Sequence, residues 1–254
     1  MATREKTGYG VLAGMWPDFV GSRWEGPYGR FVEDTLRRFG CLTVLNAALG
    51  DGCDTINLLK LGFEVNSNEI DEGFVRIASG NAQKQGLRPE ITRWDWRVLA
   101  ENTPAATYDA VILLGNSLTH LFSREDRMKA LKGFLHVLRP GGALIIDERN
   151  YQRWLDGKEE MEGKALPKTT TYCGEKVVAF REKISGEAVT IRWAHEDGRA
   201  GTLDLYPFRK GEMLSELREA GFIITERRSD HMPGYSGEAE FYQYVAMKPF
   251  KILA

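Results

Sequence analysis

The fold is indicated by residues 42–65, LTVLNAALGDGCDTINLLKLGFEV. An apolar run over 42–49 is closed by Gly50-Asp51-Gly52, and the leucines that follow recur at helical spacing. This order predicts a strand, a glycine turn and a helix. In an open parallel sheet, such a turn lets the backbone approach a ligand beyond the carboxyl ends of the strands.

The same alternation continues along the first 150 residues. Strands are predicted over 63–69, 90–94, 108–114 and 143–147, and helices are predicted around 74–78 and over 124–138. Pro140-Gly141-Gly142 is expected to end the second of these helices. Repeated strand and helix units predict an α/β fold with a doubly wound, mostly parallel, Rossmann-like sheet and right-handed crossovers.

The pattern changes after Tyr151. Residues 168–206 are rich in Thr, Val and alternating charges, with turn signals between them, which predicts an antiparallel insertion that caps the substrate. A helix over 211–220 and strands over 222–228 and 240–247 would then return to the main sheet. The predicted organisation is an N-terminal segment (1–40), a core (41–151 and 207–254) and a cap (152–206).

Composition narrows the class of partner. The 254 residues are 43% hydrophobic, and 34 basic and 36 acidic residues leave a net charge of −2 without a long basic stripe. Nucleic acid is therefore not expected as a substrate. The polar start of the chain and the lack of a long apolar run indicate a cytoplasmic protein without a membrane partner. Its three scattered cysteines form no close pair, so we expect no metal site.

Polar residues follow three consecutive predicted strands. The Gly50-Asp51-Gly52 turn is a weak signal, since it could equally be a tight connection. Glu69 lies about 20 residues further on, where an acid can accept both ribose hydroxyls, or could be a solvated strand end. Asp95 and Trp96 could receive an adenine amino group and stack on its ring, although Trp96 could simply be buried. Together the three positions indicate a nucleoside-containing cofactor.

Longer motifs carry a resemblance. Residues 47–55 (AALGDGCDT), 115–121 (GNSLTHL) and 139–151 (RPGGALIIDERNY) are similar to motifs of class I S-adenosylmethionine (AdoMet) methyltransferases, specifically the glycine N-methyltransferase and glycine/sarcosine methyltransferase family. The likeness runs from about Trp16 to the C-terminus. Departures are Asn46, Leu49, Asp51 and Glu69, of which Asp51 would repel the cofactor's carboxylate.

The resemblance implies AdoMet as the cofactor, S-adenosylhomocysteine as the product, and a role for each matching residue. Ala48 and Gly50 would approach AdoMet, Glu69 would hold the ribose, and Asp95 and Trp96 would frame the adenine. The other side of AdoMet would be lined by Leu114, Ser117 and His120, with Trp16 nearby. Arg23 would bind the carboxylate of its methionine part.

The resemblance also implies an acceptor site. Arg149 would grip the carboxylate of a small amino acid with its planar fork, and Asn116 would be its second ligand. Tyr172 and Tyr9 would face the acceptor. The alternatives are a surface ion pair of Arg149 with Glu148, a hydrogen bond of Asn116 within its own turn, and aromatic packing for both tyrosines.

The implied activity is methylation of the amino group of glycine or sarcosine by in-line displacement, in which proximity and alignment do most of the work. The resemblance implies a structural or cofactor-side role for His120, and no dedicated base is expected. A different amine or hydroxyl acceptor remains an alternative, as does an AdoMet sensor without catalysis. The resemblance also implies a homo-oligomer in which the N-terminal segment (1–40) helps to close the active site.

Overall fold

Residues 9–250 are described by the computed structural model, and they form two sheets with helices packed around them. The helices are α1 (Tyr9–Val20), α2 (Pro27–Arg38), α3 (Cys53–Lys60), α4 (Glu72–Lys84), α5 (Leu99–Asn102), α6 (Arg124–Val137), α7 (Tyr151–Asp156), α8 (Lys158–Met161) and α9 (Glu212–Glu219). The strands are β1 (Thr43–Asn46), β2 (Glu64–Asn68), β3 (Glu90–Thr92), β4 (Tyr108–Leu113), β5 (Leu138–Arg149), β6 (Val177–Ile184), β7 (Val189–His195), β8 (Ala200–Leu205), β9 (Ile223–Ser229), β10 (Met232–Pro233) and β11 (Phe241–Met247).

The larger sheet has the order β10-β9-β11-β5-β4-β1-β2-β3. Strand β1 pairs in parallel with both β2 and β4, and β4 pairs in parallel with β5, whereas β11 is antiparallel to β5. The predicted α/β fold with a mostly parallel sheet is confirmed. Because the carboxyl ends of β1 to β5 share one edge, the turns that follow these strands are brought together there.

Strand β4 shows why the sheet is buried on both faces. Val111 and Leu113 pack in a cluster with helices α6 and α9, and Ala110 and Ile112 pack in a second cluster with α2. Successive side chains of a strand point to opposite faces, so a strand covered on both sides must be apolar throughout. Each large aliphatic side chain buried here contributes about 1.5–3 kcal/mol.

Helices α1 and α2 lie in the stretch for which no helix was predicted. Helix α2 begins with Pro27, whose fixed φ suits a first helical position, and buries Tyr28, Phe31 and Val32. Helix α1 is apolar on most faces, because it contacts α4 on one side and β6 and β8 on the other. A helix covered in this way has no clear amphipathic period for sequence analysis to detect.

Two predicted boundaries in this half of the chain are wrong. Helix α6 ends at Val137, one residue early, and β5 runs from Leu138 through Pro140-Gly141-Gly142 to Arg149. Strand β5 pairs with β4 on both sides of this segment, at Tyr108–Leu138 and at Ala110–Ala143. The extra residues of β5 between these pairs are accommodated by a bulge. Gly141 has φ +80° within this irregular stretch, and its N–H donates to the Lys248 carbonyl.

The insertion forms the predicted antiparallel sheet, in the order β6-β7-β8. Its two turns contain Ser185-Gly186 and Asp197-Gly198, dipeptides that are typical of turns. This sheet packs on α1 through a separate apolar cluster, which includes Met15, Phe19 and Trp193. Helix α1 therefore lies between the insertion and helix α4. Within residues 9–250, no helix combines the length and the apolar character that crossing a bilayer requires.

Candidate active site

The glycine turn lies at the carboxyl end of β1 and is closely covered. Gly50 and Gly52 have φ of +57° and +84°, in the left-handed region that favours glycine. A Cβ at Gly50 would lie 3.4 Å from the indole nitrogen of Trp16, and one at Gly52 would lie 3.0 Å from the Cβ of Ala78. The turn therefore lies between α1 and α4, with Trp16 close to Gly50 and Ala78 close to Gly52.

Glu69, just after β2, is tied to this turn. One carboxylate oxygen accepts the Gly50 N–H at 3.1 Å, and the other accepts the Asp71 N–H at 3.0 Å. Burial raises the pKa of the Glu69 carboxyl above its ordinary value. Each oxygen has a lone pair left over, so Glu69 can accept two further hydroxyl groups.

Asp95 and Trp96 follow β3 but have different surroundings. The indole N–H of Trp96 donates to the Ala47 carbonyl at 2.8 Å, which joins the ends of β3 and β1. Asp95 pairs with Arg97 at 2.6 Å and also accepts the Arg97 backbone N–H. The hydrogen bonds from the Arg97 side chain lower the pKa of Asp95, so its carboxylate is ionised near neutral pH. Any adenine amino group would have to share Asp95 with Arg97.

Arg23 is buried in the short helical turn Arg23–Glu25, with 6% of its surface exposed. Its Nη2 donates to Asp54 at 2.9 Å, and its guanidinium carbon lies 4.5 Å from the ring centroid of Tyr28. Among the residues described, neither its Nε nor its Nη1 has a hydrogen-bond partner. A buried guanidinium with two unused donors is suited to a carboxylate.

Asp51, the unusual residue of the glycine turn, is also buried. Its carboxylate accepts the Cys53 N–H at 3.3 Å. Burial raises the pKa of Asp51, and the nearby charge of Arg23 lowers it. Arg23 therefore offsets part of the repulsion that Asp51 would exert on a second carboxylate in this region.

The turn after β4 is held by the end of β5. Asp147 accepts the backbone N–H of Gly115 at 3.1 Å and that of Asn116 at 2.6 Å. Asn116 has φ +64°, its Nδ2 donates to the Tyr151 hydroxyl at 2.6 Å, and its Oδ1 accepts the Arg149 N–H at 3.1 Å. Burial raises the pKa of Asp147 to about 6, so it is mostly ionised at neutral pH. Asn116 bridges the ends of β4 and β5, beyond its own turn.

Tyr172 reaches this turn from the segment before β6. Its hydroxyl donates to the Gly115 carbonyl at 2.8 Å, and its ring stacks on Phe19 with a centroid separation of 4.5 Å. Trp16 lies 5.6 Å away in an edge-on arrangement. Burial raises the pKa of Tyr172 above its ordinary value, so the hydroxyl stays protonated. Tyr172 and Trp16 thus form a continuous aromatic surface between the two turns.

Arg149, at the end of β5, is only 2% exposed. Its guanidinium carbon lies 4.2 Å from the ring centroid of Phe241, 5.0 Å from that of Trp154 and 5.6 Å from that of Tyr172. Its Nη1 contacts Glu240 at 3.4 Å, and within residues 9–250 its Nε has no hydrogen-bond partner. The alternative of a surface pair with Glu148 is wrong, because Glu148 is buried and accepts the Tyr244 hydroxyl.

The remaining predicted positions lie around the same edge. Leu114 is buried in the core cluster that contains α2, and the Ser117 hydroxyl donates to the Leu114 carbonyl at 2.8 Å. Burial lowers the pKa of His120 to about 4, so its imidazole is neutral near pH 7. The Ala48 N–H donates to Asn46 at 3.3 Å, which fixes the entry to the glycine turn.

The structure therefore brings most of the predicted residues to one edge of the sheet. Trp16 and Tyr172 link the glycine turn to the Gly115 turn, and Asn116 and Arg149 are directly bonded. Asp95 makes its side-chain bonds with Arg97. The Tyr9 side chain lies outside the described part of the chain. Among residues 9–250, His, Cys, Asp and Glu side chains form no group of three suited to a metal ion.

Sequence reasoning missed the partners of these residues. Asp54 pairs with Arg23, Asp147 holds the Gly115 turn, and Glu240 pairs with Arg149. Asp147 stands within the matched motif at 139–151 and could have been found there. Glu240 carries no such signal, because it lies 91 residues from Arg149 and meets it only through the pairing of β11 with β5.

Comparison with known proteins relates the chain to methyltransferases. Residues 44–142 match the family described as "Methyltransferase domain". Over 240 residues the chain is 32% identical to a glycine/sarcosine N-methyltransferase of Halorhodospira halochloris, covering 93% of this chain and 87% of that protein.

A second relative is longer. The glycine/sarcosine/dimethylglycine N-methyltransferase of Actinopolyspora halophila is 35% identical over 95% of this chain, which spans 42% of that protein. Among solved structures, an S-adenosylmethionine-dependent methyltransferase from Clostridium acetobutylicum has a TM-score of 0.73 at 17% identity, over 95% of this chain and 99% of that one. At that identity the likeness concerns the fold.

Proposed function

Since the chain belongs to the family of glycine/sarcosine N-methyltransferases, we propose that it uses AdoMet to methylate the amino group of glycine, of sarcosine or of both. Methylated amino acid and S-adenosylhomocysteine are the products. The proposal assigns the acceptor to Arg149, Asn116, Tyr172 and Tyr9.

Arg149 is the single observation that carries this choice of acceptor. Its guanidinium is buried among three aromatic rings, its Nε has no partner among the described residues, and Glu240 contacts it through one nitrogen only. A guanidinium that is shielded from water in this way is suited to bind an anion with two oxygens that can accept its hydrogen bonds. The carboxylate of a small amino acid meets that need.

The residues around the glycine turn fit AdoMet. Arg23 has two unused buried donors for the methionine carboxylate, and Glu69 has unused lone pairs for the ribose hydroxyls. We propose that AdoMet is held by Trp16, Arg23, Ala48, Gly50, Glu69, Asp95, Trp96, Leu114, Ser117 and His120. When bound, AdoMet supplies an activated methyl group, so the protein needs no nucleophile of its own.

The chain's own residues then have two tasks, to orient the acceptor and to exclude water. Arg149 fixes the carboxylate, and Asn116, bonded to the Arg149 backbone, keeps this end of the site rigid. The rings of Tyr172, Trp154 and Phe241 exclude water around the guanidinium, which strengthens its hold on an anion. Fixed alignment of this kind is the main contribution available to the protein.

Closure of the site is assigned to the N-terminal segment (1–40) and to the cap (152–206), with 41–151 and 207–254 as the AdoMet-binding core. Support comes from α1, whose Trp16 covers Gly50 and whose Phe19 stacks on Tyr172. Helix α2, by contrast, packs in the core of the main sheet. We also propose a homo-oligomer, which light scattering would test against the 28.7 kDa mass of one chain.

The test is formation of S-adenosylhomocysteine from AdoMet with a panel of acceptors. Glycine and sarcosine should be methylated, whereas ethanolamine, which keeps the amine and lacks the carboxylate, is the matched control and should react poorly. Equal turnover of ethanolamine would favour a different amine or hydroxyl acceptor. Tight AdoMet binding without turnover of any acceptor would favour a sensor.

A further inference from the structure

Two arginines contact Glu240 just before β11, and a third arginine lies nearby. Glu240 contacts Arg149 at 3.4 Å and Arg153 at 2.9 Å. Arg181, from the insertion, lies 4.8 Å from the ring centroid of Trp154, the same ring that Arg149 faces. Glu238 also approaches Arg153, at 3.7 Å, but its side chain is 86% exposed. Positive charge therefore exceeds negative charge in the buried part of this cluster.

The two contacts of Glu240 are unequal. Its bond to Arg153 is of normal length, whereas its contact with Arg149 is long and uses one nitrogen of the fork. A bidentate pair would hold the guanidinium much more firmly. Arg149 is thus kept in place by a partner that can be displaced at small cost.

The surroundings of Glu240 also allow it to release Arg149 without moving the backbone. Its N–H donates to Asp230 at 3.2 Å, and its carbonyl accepts the Asn150 N–H at 2.9 Å. Its side chain is 16% exposed, and Glu240 lines a cleft of about 380 Å³ with Lys168, Thr169, Thr170 and Asp230. If the Glu240 carboxylate breaks its contact with Arg149, it can therefore remain bonded to Arg153 and be hydrated by solvent.

We propose that Glu240 is the positioning residue for Arg149, a resident counter-ion that orients the guanidinium and gives it up to the acceptor's carboxylate. This role rests on the proposed function, because it requires an acceptor that carries a carboxylate. Glu240 weakens acceptor binding by competing for the same guanidinium, and it supports turnover by keeping that guanidinium aligned. A residue with a purely structural role would not affect the two quantities in opposite directions.

The experiment compares Glu240→Gln with Glu238→Gln in the full chain. Both variants lose one negative charge beside Arg153, but only the first loses the contact with Arg149. Binding of acetate, a carboxylate without an amine, is measured by calorimetry in the presence of AdoMet, and kcat and KM are measured with glycine and sarcosine. Melting temperature and AdoMet affinity report on folding.

We expect Glu240→Gln to bind acetate roughly three- to tenfold more tightly than the wild type, which is the size of effect expected when a competing, partly exposed ion pair is lost. Its acceptor KM should be lower and its kcat should be reduced. Glu238→Gln should match the wild type. Glu240→Asp keeps the charge on a shorter side chain, so acetate affinity should stay within about twofold of the wild type while kcat falls.

Acetate affinity in Glu240→Gln that is no higher than in Glu238→Gln overturns the proposal. If Glu240→Gln does not fold, a wild-type kcat in Glu240→Asp overturns it instead. Absence of turnover by the wild-type protein with every amino acid would contradict the proposed function, whereas the acetate comparison would still test competition between Glu240 and a carboxylate.

Discussion

The burial of Arg149 determines what a substitution there does. Arg149→Lys keeps the charge but loses the planar fork and its contacts with three rings. We expect a higher acceptor KM with AdoMet affinity nearly unchanged. Arg149→Ala should lose a charge-assisted interaction of about 1.5–3 kcal/mol, which is roughly a ten- to hundredfold loss in kcat/KM for glycine or sarcosine.

Arg153→Lys is the matched control, because Arg153 shares Glu240 with Arg149 but is 36% exposed. Steady-state kinetics and AdoMet calorimetry on both lysine variants provide the comparison. Unchanged amino-acid turnover in both Arg149 variants would mean that Arg149 does not bind the acceptor's carboxylate.

His120 is the residue that the pH dependence of turnover tests. Burial lowers its pKa to about 4, so His120 is neutral throughout the range from neutral to mildly alkaline pH and adds no inflection there. Only the unprotonated amine of the acceptor can attack. The rate at subsaturating acceptor should therefore rise with pH, by up to about tenfold per unit while the amine is mostly protonated.

Glu148 is the control for this profile. Burial raises its pKa to about 8, so it titrates in the same range, but it bonds to Tyr244 and not to Arg149. Glu148→Gln should leave the shape of the pH–rate profile unchanged. A flat profile in the wild type would indicate rate-limiting product release or a different acceptor.

At the scale of elements, α2 positions Arg23 through a close contact. A Cβ at Gly29 would lie 2.0 Å from the Trp24 carbonyl oxygen, so Gly29→Ala must push away the turn that carries Arg23. We expect a loss of about 1–3 kcal/mol in stability from the overpacking, together with weaker AdoMet binding. Chemical denaturation and calorimetry would measure both.

Gly80→Ala in α4 is the matched control. No atom of the described residues lies within 4 Å of a Cβ at Gly80, so alanine should add about 0.5–1 kcal/mol of stability through helix propensity. Its AdoMet affinity should equal that of the wild type. Equal affinities in the two alanine variants would mean that α2 does not position Arg23.

At the scale of the whole molecule, AdoMet should stabilise the fold. The residues proposed to hold it range from Trp16 to His120, so its binding would link several helices and strands. AdoMet at about 100 times its Kd contributes about 2.7 kcal/mol, which raises Tm by roughly 5–10 °C for a chain of this size. ATP should cause no comparable shift, since the sequence lacks the glycine-rich lysine motif of P-loop proteins. Thermal denaturation with each nucleotide checks this, and a larger shift with ATP would contradict the cofactor assignment.

The sequence by itself determined the α/β alternation, the glycine turn, the antiparallel insertion and the motifs that place Asn116 after β4 and Arg149 at the end of β5. These features depend on local periodicity, on backbone preferences of glycine and on short matched segments, all of which are readable along the chain. It did not reveal α1, whose residues are apolar on most faces because two layers cover them.

Only the tertiary structure decided which charges meet. Arg23 pairs with Asp54 across 31 residues, and Arg149 pairs with Glu240 across 91 residues. No local pattern contains such pairs, because sheet order and strand register bring them together. The sequence indicates which arginines can bind carboxylates. The fold determines which of their N–H groups remain available to a ligand.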